Sequence, residues 1–296
     1  MLTADQIAFY GANGYLVLEA LIPVDRIVAV RAEVKRLVEG ARGRTESDDL
    51  YDLEDSHRPD RPRVRRIKHP NTVSPVFDAL MRDESIVEPV RDLIGPALRL
   101  HTSKLNLKSA EYGAPVEWHQ DWAFYPHTND DILAVGVMLD DVDETNGPLM
   151  IVPGSHKGPV FDHHSGGVFC GAIDPATEGL GLESAVALTG PAGSISLHHV
   201  RVLHGSDLNT SGRDRRLLLY EITAADAWPL HGSLSEFGSL AEYDERLLCG
   251  DSTIVPRLRD VPARLPIPSP AEYGSIYNVQ KGTRRRAFRV LEGQET

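Results

Sequence analysis

From Leu98 onward the chain breaks into short β-type runs separated by clusters of Gly, Pro, Asn and Asp, and this pattern restricts its fold most. The runs are Leu98–Lys108, Ile132–Leu139, Leu149–Val152, Ser194–His199 and Leu217–Ile222. Strands of this length and spacing are typical of an all-β barrel or sandwich. Asn146-Gly147 joins the second and third runs and is a strong signal for a tight hairpin, so it predicts that these two strands are antiparallel neighbours.

The part of the chain before these runs carries helical signals. The capping box Thr3-Ala4-Asp5-Gln6 predicts a helix that ends at about Gly11, and Tyr15-Leu16-Val17-Leu18 predicts a strand. Apolar residues at helical spacing predict two further helices, from Pro23 to Gly40 and from Pro75 to Ile94. The polar segment from Arg42 to Pro62 predicts a mobile surface loop or a lid.

The organisation indicates a single domain. A chain of 296 residues with no internal repeat is long enough for one large core. We expect one domain over 1–296, with helical decoration over about 1–97, a barrel core over about 98–225 and a C-terminal arm over about 226–296. The prolines between Pro256 and Pro270 predict that this arm is irregular and lies over the surface.

Charge and composition narrow the possible partners. The formal net charge of −12 argues against nucleic acid and anionic lipid, and slightly favours a neutral or cationic metabolite over a polyanionic thioester as substrate.

No apolar stretch reaches the roughly 18–20 residues of a membrane span. The N-terminus has no basic region ahead of an apolar one, and the two cysteines lack metal spacing. We therefore expect a cytoplasmic protein that acts on a small molecule, as a monomer or homodimer.

Metal-binding chemistry is indicated first by Trp118-His119-Gln120-Asp121-Trp122. Residues two apart on a strand point to the same side, so His119 and Asp121 would share one face. Fe(II) in oxygenases is held by two His and one carboxylate, with the remaining positions open. A chain with 12 His contains about one His-x-Asp by chance, so a distant third ligand is required.

His204 is the candidate for that third ligand, because it lies between two β-type runs. Arg215 follows eleven residues later, and a guanidinium suits the remote carboxylate of a dicarboxylic cosubstrate. Ser206 would add a hydrogen bond there. If the chain turns at Asn209–Gly212 and returns antiparallel, His204 and Arg215 face one cavity. Arg215 and Arg216 are neighbours on a strand, so only one of them faces inward; strand parity together with the spacing in the family named below favours Arg215.

Rival ligands are His163-His164 and His198-His199. Neighbours on a strand point to opposite faces, so neither pair chelates a metal easily. We interpret both pairs as structural or surface residues.

Together these residues resemble the phytanoyl-CoA dioxygenase-like (PhyH) family of Fe(II)/2-oxoglutarate oxygenases, which includes ectoine hydroxylase. The resemblance spans about Thr3 to Ile222. It is carried by Gly14-Tyr15-Leu16-Val17-Leu18, His119-Gln120-Asp121-Trp122, Asn146-Gly147-Pro148-Leu149, Val152-Pro153-Gly154-Ser155-His156 and His204-Gly205-Ser206 with Arg215. It implies a mainly β fold with flanking helices, namely a double-stranded β-helix, the jelly-roll or cupin-like barrel.

The resemblance also implies a role for individual residues. Iron would be bound by three metal-ligating and hence catalytic residues: His119, Asp121 and His204. The 2-oxoglutarate cosubstrate would be held by three polar residues: Arg215, Ser206 and Asn106. The substrate pocket has three candidates: Trp122 and Tyr125, which equally well pack the barrel, and the loosely aligned Arg66.

The expected reaction is hydroxylation of an unactivated C–H bond of a metabolite, with O2 as second cosubstrate and with release of succinate and CO2. Desaturation and epoxidation use the same ligands and stay open. The alternative is a non-oxidative cupin-like protein, either a metal-dependent isomerase or hydrolase or a ligand-binding protein. Such a site has no use for Arg215 and Ser206 at these offsets from His204, which favours the oxygenase.

Overall fold

A computed structural model describes residues 1–110, 113–232, 237–271 and 274–290 of the chain. The α-helices in these ranges are α1 (Ala4–Asn13), α2 (Val24–Gly40), α3 (Pro70–Val73), α4 (Pro75–Met81), α5 (Glu84–Ile94), α6 (Leu240–Asp244) and α7 (Ile276–Val279). The strands are β1 (Tyr15–Leu18), β2 (Tyr51–Leu53), β3 (Val64–Lys68), β4 (Leu98–Lys108), β5 (Val116–His119), β6 (Ile132–Met138), β7 (Leu149–Ile151), β8 (His164–Ser165), β9 (Val168–Phe169), β10 (Val186–Leu188), β11 (Ile195–His199), β12 (His204–Ser206), β13 (Arg215–Ala224) and β14 (Leu247–Cys249). Within the described ranges, no helix combines the length and the apolar character needed to cross a bilayer.

Two antiparallel sheets form the body of the protein. The larger is eight-stranded, with the order β1-β11-β6-β13-β4-β3-β2 and with β14 paired to β4. The smaller is four-stranded, with the order β10-β7-β12-β5, and β8 and β9 form a separate pair. The predicted fold class, mainly β with flanking helices, is confirmed.

Strand alternation divides the large sheet into a helix-covered face and an inner face. On β13, Leu218 and Tyr220 belong to the core cluster that includes buried residues of α2, α4 and α5. Leu217 and Leu219 belong to a second cluster, which contains residues of the small sheet. The inner face therefore carries the odd-numbered residues from Arg215 to Leu219, and it is this face that meets the small sheet.

The predicted hairpin at Asn146-Gly147 is wrong. β6 pairs with β11 and β13, whereas β7 pairs with β10 and β12, so the two strands lie in different sheets. The Asn146 side chain accepts a hydrogen bond from the backbone N–H of Asp143 and donates one to the carbonyl of Asp141, so it stabilises a longer corner. Only Gly147 of the pair has a positive φ, 70°, whereas a type I′ turn needs two.

Two predictions for the N-terminal half need correction. The helix predicted from Pro75 to Ile94 is interrupted after Met81, because Asp83 caps a new helix by accepting a hydrogen bond from the backbone of Ser85. The segment Arg42–Pro62, predicted as a surface loop or lid, contains β2, and Tyr51 in it is buried and donates to the carbonyl of Leu37. The capping box of α1, β1 and α2 are confirmed.

The C-terminal arm first follows the prediction and then departs from it. Its proline-rich part, 256–270, contains no described helix or strand and is largely exposed. Beyond it, α7 returns to the barrel, where Tyr277, Val279 and Gln280 are buried. Residues 291–296 of the predicted arm lie outside the described ranges.

Candidate active site

His119, Asp121 and His204 converge between the two sheets. His119 ends β5, His204 begins β12, and the two are direct cross-strand partners. Asp121 begins a 3₁₀ turn over Asp121–Ala123, so a bend after β5, rather than the predicted strand alternation, brings its carboxylate beside His119. Asp121 lies 3.7 Å from Nε2 of His119 and 3.8 Å from Nε2 of His204. Among the described residues, this is the group of three that could hold a metal ion, with ligand atoms all within 4.8 Å of one another.

Backbone contacts orient both imidazoles. Nδ1 of His119 lies 2.7 Å from the carbonyl of Glu117, and Nδ1 of His204 lies 3.0 Å from the carbonyl of Val202. If each Nδ1 carries the proton and donates it to its carbonyl, each Nε2 presents a lone pair to the centre of the group. Burial, together with His119, lowers the pKa of His204 well below its usual value, which keeps this imidazole neutral.

The carboxylate of Asp121 is held ionised. Its burial alone would raise its pKa, but the nearby charge of Lys104 leads the effects that outweigh burial and lower the pKa well below the usual range. Two imidazole nitrogens and one ionised carboxylate oxygen on one side of a buried pocket are the donor set of the Fe(II) oxygenase centre. The residues present therefore fit iron.

A narrow inner cavity of about 40 Å³ adjoins the three ligands. Arg215 lines it with only 2% of its surface exposed, and its Nε donates to the carbonyl of Gly147 at 3.1 Å. No salt bridge joins Arg215 to a carboxylate among the described residues. Burial lowers the pKa of this guanidinium to about 10, so it still carries a charge at neutral pH. A buried cation without an acidic partner fits a site for a ligand carboxylate.

The other two expected cosubstrate residues also line the inner cavity. Ser206 lies two residues after His204 on β12 and faces the same side. Asn106 on β4 has a buried Oδ1 with no hydrogen-bond partner. β12 and β13 lie in different sheets, so the predicted antiparallel return from His204 to Arg215 is wrong. The two residues face one cavity from opposite walls instead.

A larger outer cavity of about 350 Å³ opens on the other side of Asp121. Three cationic side chains line it, namely Arg66, Lys68 and Lys104, and the first and last of these also line the inner cavity. Glu221 is the other acidic residue in its wall and is in contact with Lys104. The cavity beside the metal ligands is thus positively lined, although the chain as a whole is acidic.

Of the three residues predicted to line the substrate pocket, two line the outer cavity and one does not. Tyr125 and Arg66 line the outer cavity. Trp122 does not: its side chain is fully buried in a cluster with Ile132 and Val200, and its indole N–H donates to the carbonyl of Pro262 at 2.8 Å. The bend that turns Asp121 toward the metal ligands leaves Trp122 in the core behind them.

Sequence reasoning missed several lining residues that strand parity could have found. Lys104 and Lys108 share the parity of Asn106 on β4, and Lys108 is buried with its amine in contact with the carbonyl of Asp207. Burial and the nearby charge of Arg215 lower the pKa of Lys108 well below its usual value. The interpretation of His198 as structural was also incomplete, because one residue of an adjacent pair on a strand must point inward. Nε2 of His198 lies 3.7 Å from Asp121.

Comparison with known proteins identifies the family. The sequence model of the phytanoyl-CoA dioxygenase (PhyH) family matches residues 10–217. A protein of Stutzerimonas stutzeri described as "Probable alpha-ketoglutarate-dependent hypophosphite dioxygenase" is 39% identical over 289 residues, which are 96% of this chain and 99% of that protein. An ectoine dioxygenase of Bordetella bronchiseptica is 32% identical over 71% of each chain.

Solved structures agree with this assignment. The crystal structure of EctD from S. alaskensis with bound Fe superposes with a TM-score of 0.65 at 25% identity, covering 76% of this chain and 77% of that one. The double-stranded β-helix prediction is thereby confirmed, and the oxygenase hypothesis is confirmed over the non-oxidative alternative. The chain belongs to the phytanoyl-CoA dioxygenase (PhyH) family and is an iron- and 2-oxoglutarate-dependent dioxygenase.

Proposed function

We propose that this dioxygenase oxidises a small oxyanion, with hypophosphite as the first candidate, in the outer cavity beside His119, Asp121 and His204. The observation that carries the proposal is the positive lining of that cavity. The Stutzerimonas relative, which matches nearly the whole chain, is named for the same compound.

Charge favours an anion over a neutral or zwitterionic substrate. Arg66, Lys68 and Lys104 line the outer cavity together with two acidic residues, Asp121 and Glu221. Once Asp121 is committed to the metal and Glu221 to Lys104, the unbalanced charge on the wall is positive. An anionic ligand would compensate this charge.

The metal, the cosubstrate and the substrate would each be bound by a different set of residues in the two cavities. We assign the metal to His119, Asp121 and His204, and the remote carboxylate of 2-oxoglutarate to Arg215 and Ser206, with Asn106 beside them. Bound iron would supply O2 activation coupled to decarboxylation of 2-oxoglutarate. Arg66 and Lys104, which line both cavities, would orient the oxyanion toward the metal side.

The proposed reaction balances. Hypophosphite, 2-oxoglutarate and O2 give phosphite, succinate and CO2. One oxygen atom enters the new carboxylate of succinate and the other converts a P–H bond to P–OH. This is hydroxylation, as the sequence predicts, at phosphorus rather than at carbon.

The test is substrate-dependent succinate formation. Protein loaded with Fe(II) under nitrogen is mixed with 2-oxoglutarate and aerated buffer, with hypophosphite, ectoine or no addition, and succinate and ³¹P spectra are recorded. We expect succinate and phosphite in equal amounts with hypophosphite, and one ¹⁸O atom in phosphite when ¹⁸O2 is used. Succinate formation stimulated by ectoine and not by hypophosphite would reject the oxyanion and leave the dioxygenase assignment intact. The oligomeric state, monomer or homodimer, stays a prediction that sedimentation would test.

A further inference from the structure

The C-terminal arm supplies part of the wall of the inner cavity. Ile276 and Tyr277 of α7 line this cavity together with Arg215 and Ser206. Tyr277 is 7% exposed and packs against Ala114 and against Val116, the first residue of β5. Both residues of α7 lie well beyond residue 217, where the family match ends. The cavity wall is therefore completed by a segment beyond the part of the chain that the family model matches.

Hydrogen bonds fasten this segment to the strand that carries His119. The Gln280 side chain accepts from the backbone N–H of Glu117 at 2.9 Å and donates to the carbonyl of Gly171 at 2.9 Å. The Glu117 carboxylate in turn accepts from the backbone N–H of Ala287 at 2.8 Å. Because β5 is the edge strand of the small sheet, the arm pairs polar groups that the sheet leaves free.

A second contact holds Tyr277 from the opposite side. The guanidinium of Arg65 on β3 lies 5.1 Å from the centroid of the Tyr277 ring. The same group donates to Asn278 at 3.2 Å and to Asp52 at 3.0 Å. The ring is therefore held between β3 and the small sheet, with its face on a cation, and it lines the inner cavity.

We propose that Tyr277 is a cosubstrate-binding residue: its ring closes the inner cavity, and its hydroxyl donates a hydrogen bond to a carboxylate of bound 2-oxoglutarate beside Arg215. Tyr277 lines the same narrow cavity as Arg215 and Ser206, so a carboxylate bound by Arg215 would share this small space with the Tyr277 side chain. The C-terminal arm thus contributes a cosubstrate-binding residue to the active site. The inference rests on 2-oxoglutarate dependence and holds whatever the oxidised substrate is.

The test measures cosubstrate affinity separately from turnover. Tyr277→Phe keeps the ring and removes the hydroxyl, and Tyr243→Phe, on α6 outside both cavities, is the matched control. Calorimetric titration of Fe(II)-loaded protein with 2-oxoglutarate under nitrogen should show roughly tenfold weaker binding for Tyr277→Phe and no change for Tyr243→Phe. Iron affinity and melting temperature should match wild type in both variants.

Hydrogen exchange gives an independent readout on the unaltered protein. Backbone amides of 274–288 should become more protected when 2-oxoglutarate is added, because the ligand bonds to the arm. Unchanged 2-oxoglutarate affinity in Tyr277→Phe would overturn the proposal. The proposal would also be overturned if lost iron or a lower melting temperature accounted for the weaker binding. The same holds if hydrogen exchange in 274–288 did not change when 2-oxoglutarate was added.

Discussion

His119 and His204 are direct partners across the antiparallel pair β5 and β12, and their ring centroids lie 4.1 Å apart. Cross-strand partners are held by the sheet itself, so the distance between the two imidazoles is set by backbone pairing rather than by flexible loops. Each ring is also fixed by its backbone carbonyl contact. The metal ligands are therefore positioned before any ion binds.

Removing either imidazole should abolish stoichiometric iron binding. His119→Ala and His204→Ala each leave only one imidazole and one carboxylate, too few ligands for a stable Fe(II) centre. Metal content after anaerobic loading, and the visible absorption band that appears on adding 2-oxoglutarate, are the measurements. His164→Ala, which alters a ring in contact with Asp162 outside the cavities, should keep both signals. Retention of the band in His119→Ala would contradict the ligand assignment.

Arg215 and Arg216 offer a matched pair of substitutions. Arg215 faces the inner cavity, whereas Arg216 points away from it and pairs with Asp140 at 2.8 Å. Lysine cannot reproduce the two-pronged contact of a guanidinium with a carboxylate, so Arg215→Lys should raise the KM for 2-oxoglutarate roughly 10- to 100-fold. Arg216→Lys should leave this KM within about twofold. Equal effects in initial-rate assays would place the cosubstrate carboxylate elsewhere.

The sequence predicted the main strands well because strands depend on local signals, and the three predicted ligands do come together in the structure. Alternation identifies β4, β6, β11 and most of β13, and the short spacing of His119 and Asp121 marks the metal site. The parity argument that chose Arg215 over Arg216 rests on the same alternation, and the structure places Arg215 at the cavity.

Pairing between strands was less predictable, because it depends on contacts far apart in the sequence. Asn146-Gly147 has the local signature of a hairpin, but the strands on either side of it, β6 and β7, belong to different sheets. The role of α7 could not be predicted, since nothing in residues 274–288 indicates that Gln280 bonds to the backbone of Glu117. The division of 1–296 into decoration, core and arm stays a prediction.

The positive wall of the outer cavity can be tested through Lys104. Lys104→Met alone would leave the buried carboxylate of Glu221 without its partner, so the double variant Lys104→Met/Glu221→Gln removes both charges together. We expect the KM for hypophosphite to rise roughly tenfold, since the wall keeps its net charge but loses the ammonium that would donate a hydrogen bond to the oxyanion. The affinity for 2-oxoglutarate should change little. The exposed Lys157→Met serves as control, and an unchanged KM in the double variant would argue against an oxyanion substrate.

His198 is expected to support the iron centre without being a ligand. Its Nε2 lies 3.7 Å from Asp121, and its ring centroid lies 4.8 Å from that of His204. Removal of a partner that orients a ligating carboxylate typically weakens metal affinity about 10- to 100-fold. His198→Leu should therefore bind iron more weakly in a competition titration and still show the absorption band at saturating iron. Complete loss of iron, as expected for His119→Ala, would make His198 a ligand instead.

The unfolding free energy of the protein should depend on pH through the ionisation of Glu54. It is buried, and neither carboxylate oxygen has a hydrogen-bond partner among the described residues. Burial raises its pKa from 4.5 to about 7, against the opposing effect of Arg65, so the fold prefers the protonated form. The folded protein then binds more protons than the unfolded chain between pH 4.5 and 7, and its stability falls as pH rises through that window and levels off above it.

Glu54→Gln should remove this component, because the amide does not ionise. Relative to wild type, the variant should gain about 2 kcal/mol of unfolding free energy between pH 5 and pH 8, as measured by urea denaturation at both pH values. Glu46→Gln, at an exposed position of the same segment, should give the wild-type pH dependence. If the Glu54→Gln and wild-type unfolding free energies run parallel from pH 5 to pH 8, the Glu54 carboxylate is ionised throughout, and a cation such as Arg65 compensates its charge in solution.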